Sequence, residues 1–242
     1  MARKGQSKHL KRSGAPRIWK IPRKKHTFVI HSSPGPQTKK ESIALGVIIR
    51  DILKLVKNYR EANSVIKTGK ILVDGVVRLQ PNFPVGLMDT IDIPSENISY
   101  RVLPNKGTLT PIEIPQSEKR MKICRIKGKR TVKKGIIQYG LHDGRSILAE
   151  TELKVKPGDS LLIDLPSQKI VGSFGLAKGV MAMIVSGDRG GSIGIIKEIK
   201  PGTFSRTSTV NVTLQGVDTE LPSSLLLPVG NEKPHLKVTA GV

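Results

Sequence analysis

Aromatic side chains and sulfur are both scarce in this sequence. Three Tyr, four Phe and one Trp are too few for a binder of the RRM kind, which stacks successive bases on aromatic rings. The single cysteine, Cys124, excludes an internal disulfide and a cysteine-based zinc site. A reducing, intracellular setting is then the default expectation. No apolar run approaches the ~18 residues of a membrane span. The basic N-terminus is not followed by the apolar core of a signal peptide. The chain therefore reads as soluble, with no membrane partner.

Signatures of catalysis are missing as well. No G-x-x-x-x-G-K-[ST] string occurs, since GSFGLAKG places Ala177 where the second glycine belongs, and GDRGGSIG does not satisfy G-x-G-x-x-G. The five histidines (His9, His26, His31, His142, His235) are scattered, three of them in a basic tail, and no H-E-x-x-H or paired carboxylate set is present. His142, beside a turn, reads as an ordinary surface histidine. Asp89 and Asp92, alternating with Ile91 and Ile93, read as one face of a strand. No enzyme, metal site, cofactor or small-molecule substrate is expected.

Acids are outnumbered, 19 against 41 Lys plus Arg, for a net charge of +22 over 242 residues. Twelve cations precede the first acid, Glu41, so the remaining 202 residues still carry about +10 by subtraction. An excess of this size raises the local anion concentration and favours a polyanionic partner. The length suits two or three small domains.

Residues 42–93 organise the chain. Leu45, Ile48, Ile52, Leu55 and Val56 recur at helical spacing, and Thr38 with Glu41 predicts a capping-box start for that helix. Asn58 and Glu61 repeat the signal for a second helix, stopped by Gly69. Ile71-Leu72-Val73, the turn pair Asp74-Gly75 and Val76-Val77-Arg78 predict a tight hairpin. Arg50, Lys54, Lys57, Arg60, Lys67, Lys70 and Arg78 rim this unit.

Two helices followed by KILVDGVVR resemble the S4-type RNA-binding domain, and PNFPVGLMDTIDI is similar to the archaeal and eukaryotic family of ribosomal small-subunit protein four. The resemblance implies rRNA binding without catalysis. It also implies small-subunit rRNA and other small-subunit ribosomal proteins as partners, a cytoplasmic place on the ribosome, and no homo-oligomer.

The tail, residues 1–41, lacks regular periodicity, and Pro16, Pro22, Pro34 and Pro36 oppose regular structure. It is expected to be extended or disordered alone and to order on phosphate, with Trp19 packing against the body and Phe28 a second apolar anchor. K-H-L-K-R at Lys8–Arg12, then Ala15-Pro16, Trp19 and Pro34-Gly35-Pro36, resemble the same family's extension. Asn97 to Pro115 reads as a proline-punctuated link.

From Lys119 to Lys134 nine of sixteen residues are basic. With β-like spacing they predict a hairpin whose cationic tip lies around Gly128-Lys129-Arg130. GIIQYGLHDGRSIL predicts two strands around Asp143-Gly144, and further strands are expected at Glu152–Val155 and Leu161–Leu165 about the turn Pro157-Gly158-Asp159. QYGLHDGRSIL and VKPGDSLLIDLP also resemble the family's central domain. From Ala177, AKGVMAMIVSGDRGGSIGIIKEIKPGTF resembles the KOW motif of an SH3-like barrel, with Gly187, Gly191 and Gly194 where the backbone bends or needs positive φ. Ser192 departs from the basic residue common there.

The expected fold is multidomain α+β: a basic segment (1–41), an S4-like domain (42–105), a central β-domain (106–176) and a KOW/SH3-like barrel with the C-terminal segment (177–242). RNA-contact candidates are Arg3, Lys4, Lys8, His9, Lys11, Arg12, Arg17, Lys20, Arg23, Lys24, Lys25, Lys39 and Lys40 in the tail. In the S4-like unit they are Arg50, Lys54, Lys57, Arg60, Lys67, Lys70 and Arg78. Lys127, Lys129 and Arg130 follow in the central domain, then Arg189 and Lys197 near the KOW turn.

Overall fold

The structure, a computed structural model, describes residues 9–132, 135–149, 154–204, 206–214, 216–231 and 233–238. It is an α+β fold of two short helical segments and several antiparallel sheets. Arg3, Lys4 and Lys8 lie outside the described residues.

The tail is folded where it is described. Strands β1 (Leu10–Lys11) and β2 (Phe28–Val29) pair antiparallel. Leu10, Ala15, Trp19, Ile21 and Val29 join the same apolar core as Ile43, Ile48 and Ile66. Trp19 is 2% exposed, and its indole N–H donates to the Ser42 carbonyl at 2.7 Å. Packing of Trp19 against the body is as expected. The expectation of an extended tail fails for residues 9–41, because Trp19 burial and a buried Arg12 outweigh the self-repulsion of the lysines. Phe28 is exposed and its ring meets only His9 among the described rings.

Thr38 and Glu41 do bond, Oγ1 to Oε2 at 3.0 Å, but no helix starts there. Residues Ser42–Ala44 instead form β3, paired with β6 (Pro84–Gly86). Helix α1 (Leu45–Val47) follows and continues as a π-helix, Ile48–Ile52. Its first N–H groups are satisfied by carbonyls of Phe83 and Pro81, so tertiary contacts do the capping. Lys54, at φ +56°, ends it, and Leu55 is exposed.

The second helix, α2 (Tyr59–Lys67), matches the sequence: Glu61 accepts from the backbone N–H of Lys57 at 2.9 Å and of Asn58 at 3.4 Å, and Gly69 takes φ +75°. Strands β4 (Leu72–Val73) and β5 (Val76–Val77) are joined by Asp74-Gly75, both with positive φ, the twist a two-residue hairpin needs. Strand β7 (Thr90–Ile93) lies next to β4. Asp89 precedes it and is buried rather than lining one of its faces.

The expected link at 97–115 is a second correction. It forms β8 (Ile98–Asn105) and β9 (Thr108–Ile114), completing one sheet in the order β5-β4-β7-β8-β9. Its prolines are tolerated by position: Pro104 lies past the end of the β7 pairing at Arg101, and Pro111 is on the edge strand. The expected 105/106 boundary falls within this hairpin, whose two strands belong to one sheet.

The central sheet is built on β10 (Met121–Thr131), an eleven-residue strand that shifts register between Ile126 and Gly128. Met121 to Arg125 pair with β13 (Ser160–Asp164), and from Ile126 onward the strand pairs with β11 (Ile137–Leu141). With β12 (Ser146–Ala149) and β14 (Ile170–Phe174) the order is β12-β11-β10-β13-β14. The turn at Asp143-Gly144 is as expected. Gly128, Lys129 and Arg130 lie within the paired arm, opposite Gly140, Tyr139 and Gln138, and not at a tip. The expected strand at Glu152–Val155 falls partly outside the described residues, and its described end, Lys154 and Val155, is not strand.

The C-terminal sheet contains β15 (Met181–Ile184), β16 (Ile193–Lys200), β17 (Thr209–Leu214), β18 (Val217–Pro222) and β19 (Leu226–Gly230), in the order β18-β17-β16-β15-β19. Gly187 and Gly191 have φ +89° and +91°; a Cβ on Gly194 would stand 2.5 Å from Val212 Cγ1. The edge strands β18 and β19 are not paired with each other among the described residues. A closed barrel is therefore not what the strand pairing gives.

One apolar cluster joins the three five-stranded sheets: Leu103 from the first, Ile123 and Leu162 from the second, and Met183, Leu227 and Val229 from the third, with Leu87 from the turn between β6 and β7.

Candidate nucleic-acid interface

The acids of the first two thirds are largely spent inside the protein. Asp51 accepts from Arg12 at 3.0 Å and from Arg50 at 2.6 Å. Burial pushes its carboxyl up, but the two guanidinium groups outweigh this and hold its pKa low. Arg101, fully buried, pairs with Glu118 at 3.0 Å and donates to the carbonyls of Glu118, Met121 and Lys237.

The densest case sits where the β4–β5 turn meets the central sheet. Lys122 Nζ lies 2.8 Å from Asp74, 2.5 Å from Asp89 and 3.0 Å from Asp143. Arg145 pairs with Asp74 at 2.7 Å and Asp143 at 3.2 Å. The three carboxylates present oxygens within 4.8 Å of one another, a donor set suited to a cation, and the Lys122 ammonium fills that role. Burial lowers the Lys122 pKa, but Asp74 and Asp89 more than reverse this, so it stays charged. Burial raises Asp143, and Lys122 with neighbouring cations reverses it downward. Three carboxylates face two cations; burial and the Asp74 charge raise Asp89, which takes a proton most readily.

His142 and Cys124 border this cluster. Burial, then the Lys122 charge, lowers the His142 pKa to about 4. Its Nδ1 accepts from the Arg125 N–H at 3.1 Å, and its Nε2 faces the Leu87 carbonyl at 3.2 Å. It is thus a neutral, internally bonded residue, which corrects the surface reading. The Cys124 thiol, raised by burial, faces Asp143 at 3.5 Å. With both His142 nitrogens engaged, Cys124, His142 and Asp143 do not make an open metal site.

With these acids neutralised internally, the surface of residues 9–70 carries twelve exposed cations: Lys11, Arg17, Lys20, Lys24, Lys25, Lys39, Lys40, Lys54, Lys57, Arg60, Lys67 and Lys70. Only two acids there, Glu41 and Glu61, are exposed. Arg60 and Lys67, seven residues apart on α2, share the stripe opposite buried Ala62 and Ile66. His9 is also exposed, beside Phe28.

Other candidates face inward or are engaged. Arg12 is buried, and Arg23 is half-buried, donating to the carbonyls of Arg12, Ser13, Ala15 and Pro16. Both brace the tail from within. Arg50 is half-buried on Asp51, and Arg78 stacks over Phe83 at 4.3 Å. Arg189 donates to Thr219, and Lys197 pairs with Asp218 at 2.7 Å, an exposed pair of little energetic weight.

Lys127, Lys129 and Arg130 are exposed on β10. Lys127 also lines a cleft of about 260 Å³ with Lys40, Ile18, Arg125 and Val185, which brings cations from the tail and the central sheet together. Local sequence does not single out Arg125 for this cleft, although it lies inside the basic run from Lys119.

Known proteins resemble the chain over nearly its whole length. The family described as Ribosomal family S4e matches residues 96–170, and the RS4NT (NUC023) domain matches residues 4–40. The chain is 41% identical over 252 residues to the small ribosomal subunit protein eS4 of Methanocaldococcus jannaschii, covering 98% of this chain and 100% of that protein. It is 40% identical over 242 residues to the eS4 protein of Korarchaeum cryptofilum, covering 98% and 100%. Among solved structures, the 30S ribosomal protein S4e from Thermoplasma acidophilum superposes with a TM-score of 0.68 at 30% identity, covering 79% of this chain and 96% of that one.

Proposed function

The chain belongs to the S4e family of small-subunit ribosomal proteins, and from that premise we propose that it works as a non-catalytic structural protein of the small ribosomal subunit, in the cytoplasm, clamping folded rRNA beside neighbouring ribosomal proteins. The supporting observation is the charge arrangement over residues 9–70, with twelve exposed cations against two exposed acids on a packed frame. Such cations displace condensed counterions from phosphates, which supplies affinity that falls with salt. Specificity then follows the shape of A-form RNA, because fixed modules hold the cations at set separations.

The contact set in this reading is Lys11, Arg17, Lys20, Lys24, Lys25, Lys39 and Lys40 in the tail, Lys54, Lys57, Arg60, Lys67 and Lys70 around α2, and Lys127, Lys129 and Arg130 on β10. The modules are the basic segment (1–41), an S4-like unit (42–105) whose sheet is completed by β9, the central β-unit (the rest of 106–176) and a C-terminal unit (177–242). In the last, the β15–β16 hairpin and its glycine turn act as a KOW element of SH3-like type. Arg189 and Lys197 contribute least, because their charges already face Thr219 and Asp218.

Replacing Arg60, Lys67 and Lys70 together by Ala tests the reading. The variant is expected to fold normally and to lower the slope of log K against log salt for small-subunit rRNA by roughly 2, at about 0.7–0.9 per phosphate contact. An unchanged slope removes those residues from the interface. A wild-type chain with no preference for small-subunit rRNA over random polyanion overturns the function.

A further inference from the structure

The β10–β11 arm contains two glycines that the fold itself does not require. Gly128 and Gly140 stand opposite each other in the ladder. Neither has a positive φ. A Cβ on Gly128 would meet no atom within 4 Å, and one on Gly140 would meet only the Gly128 carbonyl oxygen at 3.8 Å. Side chains would therefore fit at both positions. Glycine inside a strand forgoes cross-strand packing and weakens the strand, and it commonly marks a place where another backbone or a ligand comes close.

The missing side chains leave a shallow groove of about 350 Å³ floored by bare main chain. Arg130, Gln138 and Ser146 share the ladder face of the two glycines and form its walls, whereas Lys129, opposite Tyr139, belongs to the alternate face. Gln138 Oε1 accepts from Arg130 Nε at 3.3 Å and Nη2 at 3.1 Å, which fixes the guanidinium at the groove's edge. Lys127 is exposed at the adjoining register shift. A guanidinium thus borders a floor open to close approach by another backbone, and no aromatic ring lines the groove among the described residues.

We propose that this groove is a seat for the sugar–phosphate backbone of an RNA strand, laid against bare protein main chain at Gly128 and Gly140. The proposal rests on the rRNA-binding reading and deepens it. Arg130 meets phosphate oxygens, while Ser146 and Gln138 have the hydroxyl and amide chemistry to bond a ribose 2′-OH. With no stacking ring and no reading of base edges, the seat is sequence-independent and selects RNA by its backbone.

Gly128→Val and Gly140→Val, made singly in the full chain, give a test with an unusual sign. Valine favours strand geometry, so the thermal midpoint is expected to hold or rise. Affinity for small-subunit rRNA at fixed salt is expected to fall by about 10-fold or more as phosphate contacts are lost, with Gly128→Ala intermediate. Folded valine variants that bind as wild type overturn the seat and leave the rRNA reading standing; absent rRNA preference in the wild type overturns that reading itself. A clear drop in thermal midpoint assigns the glycines to the fold and also overturns the seat. Normal rRNA affinity with failed entry into small subunits means that a protein covers the groove, and that too overturns the seat.

Discussion

Lys122 Nζ lies 2.8 Å from Asp74 Oδ2, a contact spanning 48 positions of the chain that fastens the central sheet to the tip of the β4–β5 hairpin. Asp89 and Asp143 close round the same ammonium. Met88 and Ile123, the chain neighbours of Asp89 and Lys122, belong to the apolar cluster shared by the three sheets. Modules read from the sequence as separate beads are held by this junction in one arrangement, which a shape-reading RNA binder requires.

Lys122→Met is expected to cost about 3–5 kcal/mol, because removing one partner leaves buried carboxylates without compensation. Arg145 alone would then face Asp74 and Asp143. Since those carboxyls would be protonated more easily than in the wild type, the penalty should shrink as pH falls. Denaturant midpoints at pH 8 and pH 5 check both statements, and equal midpoints for variant and wild type would show that the junction does not depend on charge.

His142 gives a separate acid dependence. Its pKa is about 4 in the folded chain against 6.5 for the free side chain. Between those values the unfolded chain binds the extra proton, so stability is full above about pH 6.5 and is lost toward pH 4. The whole span is roughly 3 kcal/mol at ~1.4 kcal/mol per pH unit. Gln in place of His142 can supply one acceptor and one donor without titrating. Stability-versus-pH curves for His142→Gln and wild type should therefore diverge over that window, and parallel curves would place the histidine in solvent.

Local signals in the sequence survive into the structure where neighbours in the chain settle them. The Asn58–Glu61 box and the Asp74-Gly75 turn need only residues within a few positions. The start of α1 is displaced because β3 pairs with β6, some forty residues away, and local spacing carries no trace of that pairing. Pro104 and Pro111 suggest a link; each occupies a ladder position where no N–H is needed. The same limit divides the cations. Nothing adjacent distinguishes Arg12 from Lys11, yet one is buried on Asp51, 39 residues on, and the other faces solvent.

That contrast gives a paired expectation. Arg12→Ala leaves Asp51 with Arg50 alone and should destabilise the chain by about 3–5 kcal/mol while hardly changing the salt slope of rRNA binding. Arg60→Ala, on an exposed helix stripe, should move stability by less than about 0.5 kcal/mol and lower the slope by about 0.7–0.9. Unfolding curves and salt titrations of both variants check the exchange of effects. A slope change in a folded Arg12→Ala chain would return that arginine to the interface.

Trp19 is the one tryptophan of the chain, so its fluorescence reports on the tail alone. Buried with its indole N–H on the Ser42 carbonyl, and bridged to Leu109 of β9, it should emit as a shielded indole in the free protein. Because its contacts belong to the same core as Ile43, Ile48 and Ile66, the fluorescence transition should coincide with loss of far-ultraviolet circular dichroism in one cooperative step. Trp19→Phe would keep most of the packing, whereas Trp19→Ala is expected to cost about 3–5 kcal/mol. A fluorescence change well before the backbone transition would mean that the tail undocks alone, and that RNA rather than the core holds it in place.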